Sequence, residues 1–220
     1  MAHPTRQPTA AKSGEFAGSC ATTAFEPAGD NLGERLARLE AENRTLRQEL
    51  DRMSVFRHLA YRDDLTGLYN RRHFTERLTQ EWSRANRFNE PLTVLLLDVD
   101  KFKVINDGAG HAAGDHVLTF IARQMSRVCR KFDVACRLGG DEFAYILPST
   151  NLEGARVVAE RLLEAIATAS DRPSLPEGLD ISLSIGIADR LDASSAADLV
   201  KRADAAMYDR KRCSVPVAAA

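Results

Sequence analysis

Two glycines followed by two carboxylates, at residues 139–142, form the short stretch of this chain best suited to chemistry. The segments on either side are apolar and β-prone, so we expect a hairpin whose two-residue turn is Gly139-Gly140. Glycine suits positive φ at both turn positions, and without Cβ atoms the turn lets a ligand approach the backbone. Asp141 and Glu142 should then begin the second strand, with side chains on opposite faces.

A second acidic group follows the apolar segment 92–97, which ends at Asp98. Such a segment is typical of a strand buried on both faces, and its end lies at a mouth of the sheet where α/β proteins bind ligands. If Asp98 lies beside Asp141 and Glu142 on neighbouring strands, three carboxylates meet and need a cation to neutralise them. Hard oxygen ligands without His or Cys indicate magnesium, held together with substrate phosphates.

Further ligand-binding residue types follow that strand. Asn106 and Asp115 are short polar side chains that can read the edge of a purine, and Lys103 can meet a phosphate. Taken alone, the glycine-rich stretch is equally typical of an ordinary polar hairpin. The carboxylates at both places together favour the functional interpretation.

Composition restricts the classes of protein that fit. The 220 residues carry a formal net charge of −1, with 44% hydrophobic and 28% charged residues, so we expect one globular domain plus extensions. The near-zero charge gives no electrostatic case for nucleic acid or membrane as a partner. No apolar run approaches the roughly 20 residues of a membrane span, and the start lacks a signal peptide. The four scattered cysteines indicate reduced thiols, and we expect a cytoplasmic protein.

A heptad seam precedes the globular part. Its members alternate at spacings of four and three: Leu32, Leu36, Leu39, Asn43, Leu46, Leu50 and Met53. This narrow seam predicts a parallel two-stranded coiled coil, in which the single Asn fixes the register. One amphipathic helix lying on the domain is the alternative, but the strongly charged flanking faces favour the coil. A zipper-type DNA-binding protein is rejected, because segment 21–31 has no Lys or Arg to form a basic region.

The remaining pattern predicts an α+β fold. Helices are predicted over 71–88, near 114–130, over 151–169 and near 195–211, and strands over 92–99, 134–138, 143–147 and 181–187. This order resembles a ferredoxin-like βαββαβ core with extra elements. The predicted organisation is a disordered tail (1–31), a coiled-coil helix (32–58), a catalytic domain (59–213) and a flexible C-terminus (214–220).

The motifs together resemble the GGDEF family of diguanylate cyclases, whose fold is nucleotide cyclase-like. The matching segments are 64–72, 98–115, 137–143, 184–188 and 203–208, in the family's order over about residues 60–211. The resemblance implies a bacterial signalling enzyme that condenses two GTP into cyclic di-GMP and two pyrophosphates. Each GTP is held by one domain, so the coil would bring two domains together as a homodimer.

The resemblance also implies roles for individual residues. Asp98, Glu142 and the backbone carbonyl of Val99 would hold Mg²⁺, with Mn²⁺ as a substitute. Asp141 would be a metal ligand or would help to deprotonate the 3′-hydroxyl. The other implied contacts are guanine binding by Asn106 and Asp115, triphosphate binding by Lys103 and Lys211, and room for the nucleotide at Gly139 and Gly140.

An inhibitory site is implied as well. Arg130 and Asp133 match the family's RxxD motif, which binds cyclic di-GMP, and Arg161 is a candidate for an additional arginine. A guanidinium can bind phosphate or guanine through paired hydrogen bonds, which gives the motif a physical basis. The predicted enzyme is therefore subject to allosteric product inhibition.

Two positions depart from the family pattern. Val215 stands where a second phosphate-binding cation is usual, and Ala109 stands where an aromatic residue is common. A weak or inactive member that binds cyclic di-GMP as an effector is therefore the alternative function. A purely structural dimeric scaffold is a third, but it leaves the carboxylates without a purpose.

Overall fold

The computed structural model describes residues 32–214, which divide into two compact units at residue 50. Helix α1 (Leu32–Tyr61) contains every residue of the predicted heptad seam. The seam leucines are exposed, with Leu39 at 55% and Leu50 at 65%, and the pairing of two such helices stays a prediction. The predicted tail 1–31 lies outside the described residues, as does nearly all of the predicted flexible C-terminus.

The second unit holds one four-stranded sheet. Its elements are α2 (Arg71–Phe88), β1 (Leu92–Val99), α3 (Phe102–Ala109), α4 (His111–Val128), β2 (Val134–Gly139), β3 (Glu142–Pro148), α5 (Leu152–Thr168), β4 (Leu183–Asp189), a 3-10 turn (Arg190–Asp192) and α6 (Ala196–Ser214). The strands are antiparallel in the order β2-β3-β1-β4. The arrangement β1-α4-β2-β3-α5-β4 is the ferredoxin-like βαββαβ plan, as predicted.

Both faces of the sheet are covered by helices, because β1 and β3 are apolar on both sides. Leu95 and Leu97 of β1 pack in a cluster with residues of α4 and α5. Val94 and Leu96 alternate with them and pack with residues of α2 and α6. The alternation follows from the two-residue period of a strand. It also decides which helices any polar residue at the strand ends will meet.

The hairpin turn differs from the prediction by one residue. Gly139 ends β2 and pairs with Glu142, so the turn residues are Gly140 and Asp141 rather than Gly139 and Gly140. A register shift between Arg137 and Gly139 causes the change, since a bulge takes up one extra residue in its strand. Both glycines still have positive φ, at 136° and 57°. Asp141 therefore lies in the turn and does not begin the strand.

Three smaller differences concern one additional helix and the first residues of two other elements. The short helix α3 was not predicted, α4 begins at His111 rather than near 114, and β4 begins at Leu183 rather than 181. Cys129 and Cys136 are free cysteines. Between residues 32 and 214, no helix combines the length and the apolarity that crossing a bilayer requires.

Candidate active site

The register of β1 and β3 places Asp98 directly opposite Glu142. Facing residues of an antiparallel pair project to the same side, which here is the side of α2 and α6. The backbone N–H of Val99 donates to the carbonyl of Asp141 at 3.2 Å, so the turn is tied to the end of β1. The three predicted carboxylates therefore belong to one end of the sheet.

Two cations bind these carboxylates. Lys211 Nζ in α6 donates to Asp98 Oδ1 at 2.6 Å, and Arg71 Nη2 in α2 pairs with Glu142 Oε2 at 2.9 Å. Arg71 Nε also donates to the carbonyl of Leu138 at 2.8 Å. Lys211 was predicted to contact a phosphate. The structure shows that it also pairs with Asp98, which was not predicted. Arg71 had no predicted role, although it lies inside a matched motif.

Burial dominates the electrostatics of Asp98. The Asp98 side chain is 11% exposed. This burial raises the pKa of the Asp98 carboxyl despite the hydrogen bond from Lys211, and the charge of Asp141 acts in the same direction. Burial opposes the charge on Lys211, but the hydrogen bond and charge of Asp98 outweigh it and raise the Lys211 pKa. The site therefore favours cations at this end of the sheet.

The carboxylate oxygens of this site are of the type that divalent metal ions prefer. Asp98, Asp141 and Glu142 offer hard carboxylate oxygens, and phosphate oxygens of a substrate would complete such a coordination sphere. Within residues 32–214, no three His, Cys, Asp or Glu side chains already have the spacing of a protein-only metal site.

Two cavities flank the carboxylates. One, of about 250 Å³, lies beside Lys211 and is lined by Asp100, Lys101, Ile105, Gly178, Leu179, Asp180 and Ser182. The other, of about 240 Å³, lies between α2 and α6 and is lined by residues that include Arg71, Leu138, Glu142, Lys201 and Met207. The first borders α3, the helix that carries the predicted purine-reading Asn106.

Three of the predicted nucleotide-binding residues lie on two consecutive helices. Lys103 is exposed in the first turn of α3, Asn106 is half-buried in the same helix, and Asp115 is exposed in α4. Gly114 explains how Asn106 is seated, because a Cβ at position 114 would lie 2.0 Å from Asn106 Oδ1. The same Cβ would lie 3.1 Å from the Phe102 ring. The sequence did not single out Gly114 as a position that determines where Asn106 lies.

Gly186 is a second missed position, and it fixes the height of α6 above the sheet. A Cβ at position 186 would lie 2.0 Å from the carbonyl oxygen of Ala203 and 2.4 Å from the backbone nitrogen of Met207. Helix α6 therefore packs directly on the backbone of β4, and Lys211 follows Met207 by one turn. A glycine inside a strand pattern is the available signal for such a close approach.

The glycine turn is held from the segment that follows α1. Arg137 Nε and Nη2 donate to the carbonyl of Gly140 at 3.0 and 2.8 Å, and its Nη1 pairs with Asp63 at 3.0 Å. Burial opposes the charge on Asp63, but hydrogen bonds from Thr66 and Arg137 prevail and lower the pKa of Asp63. The turn is thus fixed by a nearly buried ion pair at its base.

The predicted inhibitory residues form a local turn between α4 and β2. The backbone N–H of Arg130 donates to Asp133 Oδ2 at 2.8 Å, and the N–H of Asp133 donates to the carbonyl of Arg130 at 3.1 Å. The Arg130 side chain is exposed. Arg161 is exposed on α5, and no hydrogen bond within residues 32–214 joins it to the other two. The structure brings together two of the three predicted residues.

Comparison with known proteins identifies the class. The family described as "Diguanylate cyclase, GGDEF domain" matches residues 60–214. The chain therefore belongs to the GGDEF family, and its fold is the nucleotide cyclase-like fold of that family, as predicted.

Individual relatives agree with this assignment. Diguanylate cyclase DgcP of Pseudomonas aeruginosa is 41% identical over 182 residues, which are 82% of this chain and 26% of the relative. Response regulator PleD of Caulobacter vibrioides is 39% identical over 159 residues, covering 70% of this chain and 34% of PleD. This chain thus spans only a quarter to a third of the length of these two relatives.

Solved structures show the same likeness. Diguanylate cyclase SiaD of Pseudomonas aeruginosa, solved in complex with its activator SiaC, has a TM-score of 0.70 and 37% identity, covering 82% of this chain and 68% of that chain. The structure of the coiled coil and GGDEF domain of DgcB from Caulobacter crescentus, in complex with c-di-GMP, has a TM-score of 0.67 and 31% identity. The match covers 83% of this chain and 95% of that chain.

Proposed function

We propose that this chain is a diguanylate cyclase that condenses two GTP into cyclic di-GMP and two pyrophosphates. The observation that carries the proposal is the strand register, which places Asp98 opposite Glu142. The hydrogen bond from the Val99 N–H to the Asp141 carbonyl also holds Asp141 at the same end of the sheet. Relatives named diguanylate cyclases, about 40% identical, support the same activity. Phosphoryl transfer needs positioned groups and charge neutralisation more than covalent chemistry, and this end of the sheet offers both.

The carboxylates supply the metal site of the proposed reaction. Asp98, Glu142 and the carbonyl of Val99 would hold Mg²⁺ or Mn²⁺, which neutralises the charge that develops on the phosphate oxygens. The 3′-hydroxyl oxygen of one GTP forms a bond to the α-phosphorus of the other, and the bond to pyrophosphate breaks. The hydroxyl proton leaves to Asp141, or to solvent where Asp141 serves as a ligand.

The nucleotide would extend from the carboxylates to α3 and α4. The Asn106 carboxamide would donate to and accept from the guanine edge, and the Asp115 carboxylate would accept from its N–H groups. Gly114 leaves the space that Asn106 occupies. Lys103 and Lys211 would contact the triphosphate as point charges. Gly139 and Gly140 leave the turn without side chains, so the nucleotide can lie against its backbone.

A homodimer is part of the proposal, because each domain would hold one of the two GTP molecules. The exposed seam of α1 supports a parallel coiled coil, which would convert the encounter into an intramolecular one. Leu39→Lys with Leu46→Lys should abolish turnover at low protein concentration. Full turnover by a variant shown to be monomeric would exclude this role of the coil.

Product inhibition is proposed at Arg130 and Asp133, with Arg161 as an additional contact. The exposed guanidinium of Arg130 and the closed turn beside it support a site for a guanine nucleotide. Arg130→Ala should keep turnover and remove inhibition by added cyclic di-GMP. Inhibition that persists unchanged in this variant would place the inhibitory site elsewhere.

The first experiment is incubation of purified protein with GTP and Mg²⁺, with products resolved by chromatography and mass spectrometry. We expect cyclic di-GMP from the wild type and none when Asp141→Ala and Glu142→Ala are combined. The protein must be dimeric and stripped of bound cyclic di-GMP beforehand, since a monomeric protein or bound product would each suppress turnover.

A second candidate function follows from Val215, which replaces a usual phosphate-binding cation. A chain that binds cyclic di-GMP tightly but yields no product under these conditions would be an effector. Restoring the charge by Val215→Arg should then recover turnover if the lost phosphate contact is the cause.

A further inference from the structure

Arg71, the first residue of α2, contacts both sides of the β2–β3 hairpin. Its Nε donates to the carbonyl of Leu138 at 2.8 Å, and its Nη2 pairs with Glu142 Oε2 at 2.9 Å. Leu138 lies before the turn and Glu142 after it. A guanidinium can hold two oxygens at once because its donors form a rigid planar fork, which a lysine lacks.

The position of Arg71 is itself fixed by its neighbour Asn70. The Asn70 side chain caps α2 by accepting from His73 N–H at 3.1 Å. Its Nδ2 donates to the carbonyl of Ala60 at 2.9 Å, and its backbone N–H donates to the carbonyl of Tyr61 at 2.9 Å. Two adjacent residues therefore connect the end of α1 with Glu142.

We propose that Arg71 is a positioning residue that sets the Glu142 carboxylate for a divalent cation. The ion pair holds Oε2, while Oε1 makes no hydrogen bond to any residue that the structure describes. One oxygen is thus fixed and the other stays available. The inference rests on the proposed function, in which Glu142 is a metal ligand. Partners that orient ligating side chains commonly change metal affinity 10–100-fold when removed.

Arg72 provides a matched control. It is the next residue in the same helix, and its side chain is 68% exposed against 62% for Arg71. It pairs with Glu76 of the same helix at 3.1 Å and lies over the Tyr61 ring. Arg72→Ala therefore removes the same charge one position away without removing a contact to the hairpin.

The test measures Mn²⁺ binding to the full chain in the presence of saturating 3′-deoxy-GTP, which lacks the attacking hydroxyl. Free Mn²⁺ is followed by electron paramagnetic resonance for wild type, Arg71→Ala, Arg71→Gln and Arg72→Ala. We expect the Mn²⁺ dissociation constant to rise about 10–100-fold in both Arg71 variants. The Arg72→Ala value should match the wild type. Arg71→Gln keeps a donor for Leu138 and covers the case in which the alanine variant fails to fold.

Wild-type Mn²⁺ affinity in a folded Arg71 variant would overturn the inference, and so would an equal loss in Arg72→Ala. The proposed function is decided separately, by whether the wild type converts GTP and Mg²⁺ to cyclic di-GMP. A wild type that makes no product yet loses Mn²⁺ on Arg71 substitution would refute the cyclase and support the positioning role.

Discussion

Polar residues near the two ends of strand β2 are held in place by different kinds of contact. At the Gly139 end, the fixing contacts join residues far apart in sequence: Lys211 with Asp98 across 113 positions, Arg137 with Asp63 across 74, and Arg71 with Glu142 across 71. At the other end, Arg130 and Asp133 are joined by two backbone-assisted bonds across three positions. The strand of six residues separates the ends by about 20 Å.

This difference separates a preorganised site from an adaptable one. Groups fixed by the fold before a ligand arrives lose little entropy on binding, which suits a reaction that depends on exact geometry. The exposed Arg130 side chain is not fixed by the fold, which suits the adjustable contact with cyclic di-GMP that we propose for it. The comparison predicts that substitutions at the Gly139 end affect catalysis or folding, while substitutions at the Arg130 end affect ligand response alone.

The largest effect is expected from Asp98→Asn, which removes a carboxylate charge with little change of shape. Turnover should fall by about 1,000-fold or more, because a metal ligand contributes several kcal/mol of transition-state stabilisation. Binding of cyclic di-GMP, measured by calorimetry, should stay within about twofold of the wild type. Loss of both activities together would show that the two ends of β2 are not independent.

Gly114→Ala should raise the GTP dissociation constant by about tenfold or more. The new Cβ displaces the Asn106 carboxamide, and a misplaced buried hydrogen bond costs about 1–3 kcal/mol. GTP binding measured by fluorescence or calorimetry gives the result. Ala112→Gly, an exposed change in the same helical turn, should leave GTP affinity near the wild-type value. Equal affinity in both variants would contradict the role assigned to Gly114.

Asp63→Asn should lower the free energy of unfolding at pH 7 by about 1.5–3 kcal/mol, the usual range for hydrogen bonds to a charged group. The folded-state pKa of Asp63 lies below its usual value, so its contribution is present above that value and is lost as pH falls through the folded pKa. The free energies of unfolding of wild type and variant, measured with urea, should therefore converge as the pH falls through and below the folded-state pKa of Asp63. If the difference in free energy of unfolding between wild type and variant persists at low pH, the effect arises from packing and not from the charge of Asp63.

The smallest effect is expected from Arg130→Ala on stability. Its side chain is exposed, so the free energy of unfolding should change by less than about 0.5 kcal/mol. Thermal unfolding without ligand measures this change, and repeating it with cyclic di-GMP should show a smaller ligand-induced shift than in the wild type. A marked loss of stability without ligand would give Arg130 a structural role.

Periodicity was enough to predict most of the fold. Helix α2 and strand β1 have the bounds expected from the pattern, because each is uniform along its length. Helix α3 was missed since it has only eight residues and contains Gly108, Asn106 and Asp107, which are weak helix formers. The hairpin turn was misplaced by one residue because a bulge leaves no signature in strand propensity.

The sequence predicted that Asp98 and Glu142 lie close together, but not the basic side chains that pair with them. Asp98 ends an apolar segment, and Glu142 follows a glycine pair, so their position at one end of the sheet could be inferred. Arg71 and Lys211 reach them across the fold, and no local spacing encodes such a contact. The crowding around Gly114 depends in the same way on how two helices pack.

The bond between Lys211 and Asp98 has a consequence for biosynthesis. Helix α6 follows all four strands in the chain, so a ribosome completes the sheet residues before it adds Lys211. Until then the nascent chain has Asp98 without this cation, and the apolar face that α6 covers stays open. Partly synthesised chains with such faces are prone to aggregate, so we expect this domain to depend on chaperones until α6 has emerged and covers the face.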